Sequence, residues 1–410
     1  MSEADAMPVR FSVIVCSWKR PLWLKRCLLS LRQLDYSPFE IVVVADTASL
    51  KKIDGSGLKL VPFGDPNLSL ARNAGIEASG GEICAFIDDD AVAEPMWLAQ
   101  LANGFLVTGA SAAAGYVRGR NGISFQSRLA SVDREAETHE EANIDRKPKI
   151  PSLSSGRSVK LVGTNMAIQR NVLVSLGGFD PSYRYFLEDT DLSIRLSDAG
   201  FTTAIISDAE VHHAFASSSR RTRMRAPKTL FDIGRSTAIF LRRHNPKQLD
   251  EIHARLVRRE RKRLIRHLVQ GTCEPRDIGR LMTTLERGWV EGLAAPLQVY
   301  EKLEKINQFQ KFDSLPTGHN VHTSRFIINR HAARRLAGLY ANSGQRVSLF
   351  SFSFTPFRHH IKFTDDGVWF QTGGLFGRTE RNQPLVRWCR FAKREKDEIA
   401  RVAIARGLGD

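Results

Sequence analysis

At 410 residues, with 42% hydrophobic and 25% charged side chains, the chain has a globular composition and length for two domains, or one large domain with an appended piece. A balance of 60 Lys+Arg against 44 Asp+Glu leaves a formal charge of +16, which favours acidic partners: nucleic acid, anionic lipid or phosphorylated small molecules. The polar start MSEADAMPVR carries no signal-peptide core, no stretch approaches about 20 apolar residues, and the five scattered cysteines include no CxxC pair, so the expectation is a reduced, cytosolic protein without a spanning helix.

Phe11–Cys16 is a short apolar strand that runs into the polar turn Ser17-Trp18-Lys19-Arg20-Pro21. Leu24, Leu28 and Leu31 then recur at helical spacing over 22–34, and Ile41–Ala45 is a β-branched run ending on Asp46. Such runs suit a parallel strand covered on both faces. Leu68–Ala78 reads as a helix, Gly80-Gly81 break it, and a strand follows over 82–87. This β-α-β-α-β alternation predicts an open α/β sheet, in which ligands sit beyond the carboxyl ends of the strands. Cys16, Ser17, Asp46 and Asp88–Asp90 all fall at that end.

Residues 131–158 are polar and without apolar period, which predicts a mobile loop or surface insertion. Order returns at 160–163, with a helix at about 169–176, another from Glu188-Asp189 to a stop at Gly200, and a strand at 203–206 leading to His212-His213. From about residue 217 the composition turns basic, with 16 Lys/Arg against four acids between Arg220 and Arg266. The segment 275–310 reads as helical, Val347–Phe354 alternates with period two, and a basic helix closes the chain. The chain thus divides into 1–217, a basic helical region 218–310, and an extension 311–410 in which no motif converts into chemistry.

Asp88, Asp89 and Asp90 follow the apolar run 83–87 with nothing between. Three like charges delivered to one point are costly unless a turn solvates them or a divalent cation, held by oxygen ligands, neutralises them.

Several blocks taken together resemble the family 2 glycosyltransferases of GT-A fold. They are FSVIVCSWKRP (11–21), EIVVVADTAS (40–49), LARNAGIEASGGEICAFIDDD (70–90), GTNMAIQR (163–170), LGGFDPSYRYFLEDTDLSIRLSDAG (176–200) and the histidine pair. The resemblance covers about half the chain. It implies a Rossmann-like, mostly parallel α/β sheet, a nucleoside diphosphate sugar donor (a UDP-sugar first) and inversion by a single displacement. By position, Cys16, Ser17 and Arg20 of the first turn, Asp46, Arg72, Asp88 and Asp89 would bind the nucleotide sugar. The family often has two acids at the second strand's end, whereas here Ala45 precedes Asp46.

The resemblance further implies Asp90 as direct ligand to Mg²⁺ or Mn²⁺, joined by His212 or His213, of which His213 is the narrow choice. An imidazole ligand favours Mn²⁺ tolerance. Asp189 would be the general base, with Glu188 orienting it or binding the acceptor. Thr164, Asn165 and Met166 would form the acceptor-side wall.

A nucleotidyltransferase on a similar sheet is the second reading, but the turn Ser17–Pro21 lacks the glycines of a phosphate loop. A nucleic-acid-binding protein is the third, but the basic stretch lacks interleaved aromatics. Nucleic acid is therefore not an expected partner. A processive synthase would show Gln-x-x-Arg-Trp, and Gln383–Trp388 is one residue too long. The expected setting is bacterial envelope polysaccharide assembly at the inner face of the cytoplasmic membrane. The acceptor there is a glycan or a polyprenyl-pyrophosphate-linked glycan, and the basic helix contacts anionic lipid.

Overall fold

The computed structural model describes residues 7–141, 146–214, 216, 220–222, 224–298, 303, 307–316, 318–324 and 327–408. The chain opens with β1 (Phe11–Ser17), α1 (Pro21–Leu31), β2 (Phe39–Ala45), the one-turn α2 (Thr47–Leu50), β3 (Lys59–Pro62), α3 (Leu68–Ala78) and β4 (Ile83–Asp88). Strands β3, β2, β1 and β4 lie side by side in that order, all parallel. Their apolar runs are continuous because both faces are covered. Val13, Val15, Ile41 and Val43 pack with α1 on one side, while Ile14, Val42 and Val44 pack with α3 on the other.

Next come β5 (Ala91–Ala93), α4 (Trp97–Thr108), β6 (Ala112–Arg118), β7 (Phe125–Ser127), β8 (Ala130–Val132), β9 (Thr138–Glu140), β10 (Ser158–Val159), β11 (Met166–Gln169), α5 (Arg170–Ser175), α6 (Glu188–Asp198) and β12 (Thr203–His213). Strand β11 inserts antiparallel between β4 and β6, and β12 runs parallel to β6. β12 extends well past residue 206, through a bulge between Ile206 and Glu210, and its far end pairs His213 with Ala91. That pairing returns the histidines to the aspartate cluster. The mostly parallel α/β sheet expected from the GT-A resemblance is thus present.

The stretch 131–158, expected as a loop, instead contributes to a three-stranded antiparallel sheet, β10-β8-β9. Its strands are only two or three residues long, and His139 Nε2 meets Asp133 Oδ2 at 2.7 Å across the β8–β9 turn, so no hydrophobic period announces them. Residues 142–145 of this stretch lie outside the described residues, as does the expected domain break at residue 217.

Helices α7 (Phe231–His244), α8 (Leu249–Val269) and α9 (Pro275–Ala294) share a core with Tyr183, Leu187 and Ile194 of the sheet domain. Of the helix expected over 275–310, α9 covers the first part; 299–302 and 304–306 lie outside the described residues. The extension holds β13 (His319–Ser324), α10 (Ile327–Asn342), β14 (Arg346–Ser353), β15 (His360–Phe363), β16 (Val368–Gly374) and α11 (Phe391–Arg406). β13, β14 and β16 are parallel, and β15 lies antiparallel at the edge.

This extension is bolted to the back of the sheet domain. The buried Arg346 donates to the carbonyls of Gln33 (2.5 Å), Leu34 (2.8 Å) and Pro316 (2.6 Å), and the buried Arg406 pairs with Glu94 at 2.9 Å. Among the described residues no helix is long and apolar enough to cross a membrane.

Candidate active site

A cleft of about 1440 Å³ opens beyond the carboxyl ends of the parallel strands, with α6, the small sheet and α8 forming its far walls. It exceeds the roughly 300–1,000 Å³ typical of a single small-molecule site, so it has room for two substrates.

The aspartate triplet divides within it. Asp88 faces the cleft, accepts from Thr164 Oγ1 and lies 3.7 Å from Arg72 Nη2. Asp89 is buried, accepting from Ser17 Oγ (2.7 Å) and Arg20 Nε (3.0 Å). Burial pushes its carboxyl up to about 7, with Asp90 and Asp88 adding to the rise and Arg20 and Ser17 opposing it. Asp90 also pays a desolvation cost, but His213, Arg20 and the Ala216 N–H outweigh it and hold the carboxylate at about 2.

His213 Nε2 lies 3.1 Å from Asp90 Oδ1, and its Nδ1 lies 3.0 Å from Gln126 Oε1. Each ring nitrogen thus faces one acceptor oxygen, and a neutral ring donates to only one of the two at a time. Ligand atoms of Asp88, Asp90 and His213 lie within 4.8 Å of one another. Two carboxylates and one imidazole suit a small first-row divalent ion that keeps several waters, so the donor set fits Mn²⁺, and Mg²⁺ with less help from the nitrogen.

Opposite stands the start of α6. Phe186 (φ 75°) and Leu187 (φ 70°) both occupy the left-handed region, a strained pair for side-chain-bearing residues directly before Glu188 and Asp189. Glu188 is buried and pairs with Arg72 Nη1 at 3.0 Å. Burial pushes its carboxyl up to about 7, with Asp189 adding and Arg72 opposing. Asp189 is half-buried in the cleft wall; its Oδ2 accepts from the Gly163 N–H at 3.0 Å and its Oδ1 from Thr190 Oγ1 at 3.2 Å. Adjacent residues thus tie the two walls together: Gly163 holds Asp189, and Thr164 holds Asp88. A Cβ on Gly163 would fall 2.1 Å from Arg72 Nη2, so only glycine lets the guanidinium pass.

The family model described as Glycosyl transferase family 2 matches residues 12–175. The match takes in the strands and aspartate cluster of the sheet domain, and residues 12–175 are similar to that family. The succinoglycan biosynthesis protein ExoM of Rhizobium meliloti is 30% identical over 146 residues, covering 36% of this chain and 44% of the relative. The N-acetylglucosaminyl-diphospho-decaprenol L-rhamnosyltransferase of Mycobacterium tuberculosis is 38% identical over 61 residues, 15% of this chain and 20% of the relative. The chain therefore spans less than half the length of these curated relatives. Among solved structures, S. aureus TarS 1-349 in complex with UDP-GlcNAc aligns at 16% identity and a TM-score of 0.38, over 58% of this chain and 67% of that one. GalNAc-T7 with UDP, GalNAc and Mn²⁺ aligns at 16% and 0.42, over 58% and 48%.

Not every expected residue reaches the cleft. Cys16 and Arg20 line it, and burial pushes the Cys16 thiol up to about 12, so it stays protonated. Ser17 lines it too, but spends its hydroxyl on Asp89. Asp46 does not reach the cleft wall. Its carboxylate caps α2, accepting from Ser49 N (3.0 Å), Ser49 Oγ (2.7 Å) and Lys19 N (2.7 Å), and these donors hold it below the usual range against the desolvation of its slight burial.

Thr164 is in the wall, whereas Asn165 and Met166 are corrections. Asn165 is buried between Trp97 Nε1 (2.8 Å) and the carbonyls of Tyr116 (2.9 Å) and Ala209 (2.8 Å), and Met166 starts β11 inside the core. His212 is likewise turned away, onto Glu94 at 2.7 Å. The sequence reading passed over Asp65 at the end of β3, Trp18 in the first turn and Gln126 behind His213; the position beyond a strand's carboxyl end was the signal for the first.

Proposed function

We propose that this protein transfers a sugar from a nucleoside diphosphate sugar, UDP-linked in the first instance, to a hydroxyl of a glycan or polyprenyl-pyrophosphate-linked acceptor, with inversion. The observation that carries this is the pairing of walls: Asp88, Asp90 and His213 on one side, Asp189 on the other, joined through Thr164 and Gly163.

Asp88, Asp90 and His213 would hold Mg²⁺ or Mn²⁺, which supplies positive charge against the departing diphosphate. Asp189 accepts the proton of the acceptor hydroxyl as that oxygen bonds to the sugar C1. The C1–O bond to the diphosphate breaks in the same step, and the electron pair leaves with the nucleoside diphosphate. Arg72, spanning Glu188 and Asp88, fixes the separation of the two walls and adds positive charge beside the phosphates. Glu188 positions Arg72. The named activities of the relatives, succinoglycan biosynthesis and rhamnosyl transfer to a diphospho-decaprenol-linked sugar, support a setting in envelope polysaccharide assembly at the inner membrane face.

Asp189→Asn tests the reading. Turnover, followed as nucleoside diphosphate release, is expected to fall by roughly 10²–10⁴-fold. Donor binding, followed as Mn²⁺-dependent thermal stabilisation across a panel of nucleotide sugars, is expected to persist. Retained turnover sinks the base assignment, and no stabilisation by any nucleotide sugar sinks the donor class.

A further inference from the structure

Four exposed apolar side chains of the extension, its two most exposed among them, gather on two neighbouring loops. Phe357 is 69% exposed, Leu385 63%, Val386 56% and Trp388 90%. The segment 374–377 holds the loops together. Gly374 N donates to the Phe357 carbonyl at 2.9 Å, Gly377 forms an antiparallel bridge with Val386, and the Phe376 ring lies 5.1 Å from that of Trp388. Apolar residues scattered singly need no explanation, but four on adjoining loop tips do.

The surrounding charge has one sign. Arg358, Arg381 and Arg390 are exposed, and among the described residues none of them pairs with a carboxylate. The nearby acids are taken: Glu380 by Arg401, and Asp397 by Arg387 at 3.3 Å. A two-fold contact with a second copy would set these arginines against themselves. Stacked nucleic-acid bases would use the aromatic rings but not Leu385 and Val386. A fluid anionic surface satisfies both features, with rings and aliphatic chains entering the interface and guanidinium groups meeting lipid phosphates.

We infer that the loops carrying Phe357 and Leu385–Trp388 form a membrane-insertion site for anionic bilayers. This moves the contact away from the basic helix α8. There Arg255 pairs with Glu135 and Glu251, Arg259 with Glu137 (2.5 Å) and Arg263 with Glu260 (2.9 Å), and Leu256 and Leu264 are buried. The inference does not depend on the transferase reading, because its test measures no turnover.

The test is flotation of the full chain with phosphatidylcholine vesicles, with and without phosphatidylglycerol, together with quenching of tryptophan fluorescence by brominated lipid. Binding is expected only with the anionic lipid, and quenching is expected to vanish in Trp388→Phe. Leu385→Ser with Trp388→Ser is expected to lower the bound fraction by roughly tenfold or more, without moving the thermal unfolding of these exposed positions. Replacing Arg358, Arg381 and Arg390 by Gln is expected to weaken binding by roughly tenfold or more and to flatten its salt dependence. Equal binding to neutral vesicles overturns the inference, as does binding unchanged in the Leu385/Trp388 variant. Loss of binding only when Arg258, Arg261 and Lys262 of α8 are replaced overturns it too. So does lipid-free self-association, or displacement of the vesicles by a single-stranded oligonucleotide, that these substitutions abolish.

Discussion

Two consecutive histidines put the same pairing to opposite uses. His213 lies 3.1 Å from Asp90 and His212 lies 2.7 Å from Glu94, and strand alternation sends them to opposite faces of β12. On the cleft side the pair stands beside Asp88, in a wall that faces solvent. On the back it is sealed: Arg406 closes on Glu94 at 2.9 Å and reaches Ser348 Oγ at 2.8 Å, while the Trp369 ring lies tilted 5.1 Å from that of His212. A carboxylate–histidine pair with every charge matched inside the protein serves the fold. The same pair with a second, cleft-facing carboxylate beside it is suited to a cation.

The sharpest test exchanges the two acids for amides. Asp90→Asn is expected to reduce turnover by roughly 10²–10³-fold, the scale of losing one stabiliser of developing charge, to abolish Mn²⁺-induced thermal stabilisation, and to leave the metal-free unfolding transition nearly in place. Glu94→Gln is expected to do the reverse. It strands the buried Arg406, costing roughly 3–5 kcal/mol in denaturant unfolding, while turnover at a permissive temperature stays within a few-fold. An Mn²⁺ response lost in Glu94→Gln would break the division between the two faces.

That division was only half visible in the sequence. The parallel strands, the cluster at their carboxyl ends and the acids opening α6 were legible because each is local: an apolar run, a charge run, a helix start. Which way a residue faces depends on register with strands far away. Asn165 and Met166 sit beside Thr164 in the chain yet belong to the core, and β12 carries a bulge that no periodicity announces. The partner of Glu94 comes from 312 residues away, and nothing in either segment predicts the other. Asp46 carries a different ambiguity: an aspartate at a strand's end also caps a helix, and the one-turn α2 is too short to show a period.

Acidification should separate the back face further. Burial alone would raise Glu94, but Arg406 and His212 hold it at about 2. Its ordinary value is near 4.5, so the unfolded chain takes up its proton first as pH falls; the stabilisation is whole above about 4.5 and drains away towards 2. His359, buried against Gln371 and facing Glu398, Arg394 and Arg401, is held down to about 4 by its burial. Its stabilisation begins to drain below 6.5, where the unfolded imidazole protonates. Asp89 and Glu188, pushed up to about 7 by burial, act in the opposite sense between about 7 and their ordinary values, so the two back-face groups are read as differences between variant and unmodified protein. Relative to the unmodified protein, Glu94→Gln should lose pH dependence between about 4.5 and 2, and His359→Gln between 6.5 and about 4. A variant whose profile runs parallel to that of the unmodified protein would contradict the assignment of the residue it replaces.

Exchanging the histidines repeats the comparison at smaller scale. His213→Gln is expected to weaken Mn²⁺ affinity by roughly 10–100-fold, as for loss of a groups that orients or completes a metal site, with little change in unfolding. His212→Gln is expected to keep the affinity and to lose roughly 1–2 kcal/mol of stability, since Glu94 retains Arg406 but loses one hydrogen bond. Calorimetric titration with Mn²⁺ and urea unfolding read the two effects independently.

The smallest change asks whether the two walls of the cleft are coupled through a single glycine. In Gly163→Ala the new Cβ would lie 2.1 Å from Arg72 Nη2, and the guanidinium, boxed by the Phe179 ring at 5.1 Å, has to give way. It then loosens from Glu188 and from Asp88 together. Arg72 is the cation that faces Asp88 at 3.7 Å, so its displacement should leave Mn²⁺ affinity level or raised while turnover falls by roughly tenfold, a misplacement effect rather than a lost ligand. A fall in both would show that Arg72 also shapes the cation site; a fall in neither would show that the guanidinium moves without cost, and that Gly163 matters to Asp189 only through its N–H.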